Sequence, residues 1–144
     1  MNTNLKKLDS LQLVLRLTYG LVPIVAGLDK FFNVLTTWQQ YVSPTVTHVL
    51  PFNPSALMHI VGIIEIAAGI VVLSRFTTLG AYVVSAWLTL IALSLISSGH
   101  YFDVAVRDVV MAVGAYSLGV LSHALEGSRL HAPSYADGHV PASA

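Results

Sequence analysis

The sequence predicts an all-α integral membrane protein, an up-and-down four-helix bundle, and three observations point there. Of its 144 residues, 55% are apolar or aromatic and 10% are charged, against roughly 25% charged in an ordinary soluble domain. Four windows are apolar over the ~20 residues that a helix needs to cross a hydrocarbon core about 30 Å thick. The connections after the second and third windows are short, as antiparallel neighbours in a bundle require.

The first span covers 11–35 and follows Lys6 and Lys7. It is too long for the apolar core of a secretory signal. The second covers 55–73, directly after Pro54, and a tight turn containing Arg75 leads to the third, 76–98. The fourth, 104–125, follows the short connection from Gly99 to Asp103. Residues 1–126 therefore read as one transmembrane domain. The remainder, 127–144, is rich in Gly, Ser and Pro, contains His131 and His139, lacks a periodic apolar face, and reads as a flexible tail. Between the first two spans, the moderately apolar stretch Val42 to Leu50 is bracketed by Pro44, Pro51 and Pro54. It either lies in the membrane interface or folds over the mouth of the bundle as a lid.

Orientation follows from the basic residues outside the spans, because cytoplasmic loops carry the Lys and Arg excess. Lys6, Lys7, Arg75 and Arg129 all fall on one side, and the connections 36–54 and 99–103 hold no Lys or Arg. The expectation is a multi-pass protein of the plasma (inner) membrane with both termini cytoplasmic. Trp38, Tyr41, Tyr101 and Phe102 then mark the outer ends of the spans, where amphipathic rings favour the headgroup region.

Composition also excludes several functions. Seven Lys plus Arg balance seven Asp plus Glu, leaving no basic surplus to neutralise a phosphate backbone, so nucleic acid is not a partner. The absence of cysteine removes disulfides, thiolate zinc sites, redox dithiols and iron–sulfur clusters. No nucleophile elbow, phosphate loop or paired-carboxylate cleft is visible, so a standalone enzyme is not expected.

Helices in lipid meet through faces of small residues. Gly20, Pro23 and Gly27 share a face with Arg16 and Lys30; Gly62 and Gly69 share one with Met58 and Glu65; and Asp108, Ala112, Ala115, Gly119 and Ser122 form a third. Close packing accounts for the glycines and alanines. It does not account for the charges.

Six ionisable residues lie inside the spans: Arg16, Asp29, Lys30, Glu65, Arg107 and Asp108, three of each sign. Each costs at least about 2.5–3.5 kcal/mol at the bilayer centre unless it faces the interior and finds a partner. Depth, at about 1.5 Å per residue, makes Arg16 with Glu65 a deep pair, and Asp29 with Arg107 and Lys30 with Asp108 two shallower pairs. His59 shares the shallow layer, and His100 and Asp103 stand at its rim. The expectation is an outward-facing polar pocket able to bind a quinone carbonyl or small anion, or to pass a proton, with Glu65 its most informative member. The alternative is that the charges only lock the bundle. His59 and His100 could approach a metal or haem, but no two histidines stand at i and i+4 and HExxH is absent, so no metal site is expected.

Three stretches resemble the DoxX-like family of small four-span membrane proteins. They are LRLTYGLVPIVAGLDKF (Leu15 to Phe31), VGIIEIAAGIVVL (Val61 to Leu73) and VRDVVMAVGAYSLGVL (Val106 to Leu121). The resemblance implies a four-helix bundle, singles out Arg16, Lys30, Glu65 and Arg107, and points to subunits of thiosulfate:quinone oxidoreductases or accessory proteins of redox systems. Asp29, Asp108 and the long proline-bracketed loop depart from the broad family pattern. The expected function is thus an auxiliary or quinone-interacting subunit, in contact with lipid and with a redox partner or a second copy. The alternatives are a non-catalytic scaffold or assembly factor and a haem or metal protein.

Overall fold

The computed structural model describes residues 3–42, 44–49 and 53–130. Most of the expected tail, with His131 and His139, and Pro51 lie outside the described residues. The elements are α1 (Thr3–Phe32), a 3-10 turn (Trp38–Tyr41), α2 (Pro44–Val49), α3 (Pro54–Leu73), α4 (Thr77–Ser98) and α5 (Phe102–Leu130), with no strand among the described residues. The four long helices are each long and apolar enough to cross a membrane.

Local chemistry sets their ends. Asn53 caps α3, its side-chain oxygen accepting from the Ala56 N–H at 2.7 Å, and Pro54 occupies the first turn, where a missing N–H costs nothing. The turn into α4 is held by the Thr77 hydroxyl, 3.0 Å from both the Val72 and Ser74 carbonyls. Gly99, at φ 72°, closes α4 in the left-handed region that glycine enters without strain. Two boundaries differ from the sequence reading. α1 stops at Phe32 although Val34 and Leu35 look like its continuation, because the Asp29 carboxylate accepts their backbone N–H groups at 2.9 and 3.1 Å and Asn33 turns the chain at φ 52°. α5 runs on through residues 127–130, expected to belong to the tail, and Arg129 reaches Asp9 of α1 at 2.8 Å.

The bundle is built as two tight antiparallel pairs, α1 with α3 and α4 with α5. In the first pair the backbones touch. A Cβ added at Gly27 would sit 2.5 Å from the Gly62 carbonyl oxygen, and one at Gly62 would sit 2.7 Å from that of Gly27; one at Gly69 would meet the Gly20 carbonyl oxygen, and one at Gly20 the Leu73 side chain. The two glycine stripes are therefore one seam. In the second pair Tyr82 lies over Gly119 and edge-on to Tyr116, and the Ser85 hydroxyl donates to the Ala112 carbonyl at 2.9 Å.

The pairs join at the end where α1 begins and α5 finishes, here called the base. Tyr19 abuts Gly114, Gln12 donates to the Ser122 hydroxyl at 3.0 Å, and Gly80 lies against the Val72 backbone. The core there consists of Tyr19, Ala68, Val72, Ala81, Val84, Ala115 and Leu118. Above it, toward the opposite end or mouth, the four long helices enclose a cavity of about 660 Å³. The chain after α1 folds over that mouth: Trp38 covers Lys30, and Tyr41 packs edge-on against Tyr101 at 4.8 Å. The cover is made by residues 33–42, ahead of the stretch Val42 to Leu50 for which a lid or an interfacial position was expected; of that stretch, Pro44–Val49 forms α2, and residues 43 and 50 lie outside the described residues.

Candidate functional site

The cavity wall is mainly apolar, formed by residues such as Val22, Met58, Val61, Leu88, Ile91 and Met111. Polar groups enter it at a few places. The most buried is an ion pair, Lys30 Nζ to Glu65 Oε2 at 2.6 Å, with side chains 4% and 12% exposed. The glycine seam places Lys30 nearly level with His59, about 9 Å along the axis from Glu65. Helical side chains lean toward the N-terminus of their own helix. Because α1 and α3 are antiparallel, Lys30 leans toward the base and Glu65 toward the mouth, and the two meet midway.

Trp38 closes this pair from above. Its ring centroid is 3.8 Å from Lys30 Nζ, and its indole N–H donates to Asp29 Oδ2 at 2.7 Å. A single residue thus links the lid to both charges at the end of α1. Trp87, on α4, comes from the other side. The approach of Gly80 to Val72 sets a register that brings it level with Glu65. Its indole N–H is buried beside the Glu65 carboxylate yet has no hydrogen-bond partner of normal geometry. Buried as it is, such a group is costly unless something accepts from it.

Arg107 and Asp108 form the remaining polar element. Arg107 Nε and Nη2 each lie 3.2 Å from Asp108 Oδ1; the arginine side chain is 60% exposed and the aspartate 6%. Asp108 stays within electrostatic reach of Lys30 without pairing directly with it.

The expected pairings therefore change. Arg16 does not meet Glu65. It leans toward the base and donates to the Val72, Leu73 and Ser74 carbonyls, the last of these at 2.8 Å, capping the negative end of α3. Asp29 does not meet Arg107, because its oxygens are taken by the lid. Lys30 takes Glu65 instead of Asp108. Of the seven residues expected in the pocket, the structure brings Lys30, Glu65, Arg107 and Asp108 to the cavity wall; Arg16, Asp29 and His59 are not part of it. His59 stacks on Phe31, centroids 4.9 Å apart and rings parallel within 2°. His100 sits in the turn before α5, and Asp103 is exposed in the first turn of α5, where a negative charge suits the helix dipole. Among the described residues, no three His, Asp or Glu side chains converge as a metal site would need.

Two residues were missed by sequence reading, and each had left a signal. Trp87 lies in mid-span, far from the interface where tryptophan usually anchors, so its N–H had to find a partner inside the protein. Trp38 was placed at the rim, but it follows Asp29 by nine residues across a turn, which is close enough to fold back on it. Together the groups on the wall carry two positive and two negative charges, paired as Lys30 with Glu65 and Arg107 with Asp108. The cavity is thus suited to an uncharged, mostly apolar ligand with a hydrogen-bond acceptor at one end.

No curated protein and no solved structure was found to match the chain. The family model described as DoxX matches residues 11–98, which takes in α3, α4 and nearly all of the membrane-spanning part of α1, with Arg16, Lys30, Glu65 and Trp87, and ends before Arg107. With more than half its length matched and four helices able to cross a membrane, the chain belongs to the DoxX family of membrane proteins.

Proposed function

We propose that this chain is a quinone-binding subunit of a membrane redox system, seated in the plasma membrane with its base toward the cytoplasm. The observation that carries the reading is the buried Trp87 N–H, set beside the Lys30–Glu65 pair without a hydrogen bond of normal geometry, on the wall of a cavity of about 660 Å³, within the usual range for small-molecule sites. A carbonyl oxygen placed between α3 and α4 would accept from Trp87 and from a further N–H of Lys30, which has donors beyond the one given to Glu65. Glu65 Oε1, the oxygen not used by Lys30, is the acceptor for a hydroxyl at the same place. The apolar wall houses the ring and excludes water. A bound quinone would supply the electron-carrying chemistry that the chain's own side chains lack, and the electrons themselves would come from a partner oxidoreductase.

The test is the organic extract of chain purified from its native membrane. The wild type should carry quinone, and Trp87→Phe and Glu65→Gln proteins that still fold should carry much less. Equal occupancy in all three would sink the reading. A second reading, a scaffold whose charges only fasten helices together, is favoured by one observation: Arg16 and Lys30 both join α1 to α3.

A further inference from the structure

The cavity wall is built by all four long helices, and its α1–α5 and α3–α4 seams differ in chemistry. Between α1 and α5, its wall includes Val22 and the exposed, charged Arg107. Between α3 and α4, the wall residues include Leu57, Val61, Leu90 and Ile91, with Ser94 one turn nearer the mouth, and Leu90 is 60% exposed while also lining the cavity. At the level of Val61, Leu90 and Ile91 that seam is apolar. The mouth is crossed by the chain after α1, fastened on one side by Asp29 to Trp38, Val34 and Leu35, and on the other by Tyr41 against Tyr101.

From this geometry we infer that the cavity is filled sideways from the bilayer through the α3–α4 seam, and that its ligand is a chain-bearing amphiphile. The uncharged polar head lies toward Trp87, Lys30 and Glu65, and the hydrocarbon chain runs out past Val61 and Leu90 into lipid. The physical reason is the order of solvation costs. A hydrocarbon chain passing the α3–α4 seam at that level stays in apolar surroundings, whereas one passing the mouth must part the lid contacts, and one passing the α1–α5 seam must desolvate Arg107. The inference deepens the proposed function, since it rests on the same cavity being the ligand site, but it concerns the route and the tail, not the identity of the head.

The chain reports on its own cavity, because its two tryptophans, Trp38 and Trp87, both line it. The experiment reconstitutes the full chain in vesicles whose phosphatidylcholine carries bromine on the acyl chains, and reads Trp87 emission as the difference between wild type and Trp87→Phe. Brominated chains that enter by the seam should quench Trp87. Because the protein has no cysteine, single and paired cysteines can be labelled cleanly after folding. Quenching should persist when Tyr41→Cys and Tyr101→Cys are bridged by a bis-maleimide that locks the lid. It should be lost when Leu90→Cys is capped with a bulky maleimide, and kept when Val22→Cys is capped instead. Absence of quenching in the uncapped protein, loss on locking the lid, or loss on capping position 22 but not position 90 would each overturn the inference. No quinone is present in this experiment, so a native extract free of quinone would sink the quinone reading while leaving this result to stand or fall separately.

Discussion

At the scale of single residues, the Lys30–Glu65 pair decides how much of the site is structural. Removing one member of a buried ion pair strands the other charge and costs about 3–5 kcal/mol, while replacing both with apolar side chains of similar volume is often neutral. Lys30→Ala should therefore unfold well below the wild type in detergent. A double Lys30→Met, Glu65→Leu chain should return close to wild-type stability, as read by thermal unfolding followed by circular dichroism. The two readings of function then part. If the double variant also sustains the host redox system, the pair is only a fastener; loss of that activity in a stable double variant marks it as part of a site. The identity of the pair was not legible in the sequence. Which charges lie within the membrane follows from composition and depth, but who meets whom depends on helix register and on the N-ward lean of side chains. Arg16 shows the difference, because depth alone places it with Glu65 while its lean carries it the other way, to the end of α3.

At the scale of elements, the spans were readable because the bilayer imposes their length, and the glycine stripes were readable because close backbone contact needs them. The structure turns two separate stripes into one seam with the Gly27 and Gly62 backbones in contact. Gly27→Val should push α1 away from α3 and cost about 1–3 kcal/mol, as overpacking does. It should also lower the yield of folded protein in membranes, measured by size-exclusion chromatography of the detergent extract; an unchanged profile and melting temperature would contradict the seam. The end of α1 was not readable, since hydropathy continues through Val34 and Leu35 and only the Asp29 carboxylate, by accepting their N–H groups, halts the helix. A polar residue just before an apolar run can be a helix stop, and a window average hides it.

At the scale of the whole molecule, the plan is two fastened pairs of helices joined at the base, with an opening between them beneath a covered mouth. The base is packed by Val72, Ala115 and Leu118 and tied by Arg129 to Asp9. The upper half encloses the cavity, and Trp38, Lys30, Glu65 and Trp87 gather there from four different stretches of chain. The sequence already grouped Lys30 and Glu65 in one pocket; it could not show that Trp38 and Trp87 join them, because alone these read as an interfacial ring and a core tryptophan. The central claim is that this space is a ligand site and not a packing void, and a density map of the chain purified from its own membrane tests it most directly. The account predicts non-protein density in the cavity, with a polar end within hydrogen-bond distance of Trp87 Nε1 and Lys30 Nζ. A cavity collapsed onto its own side chains, with no non-protein density beside Trp87 and Lys30, would contradict it.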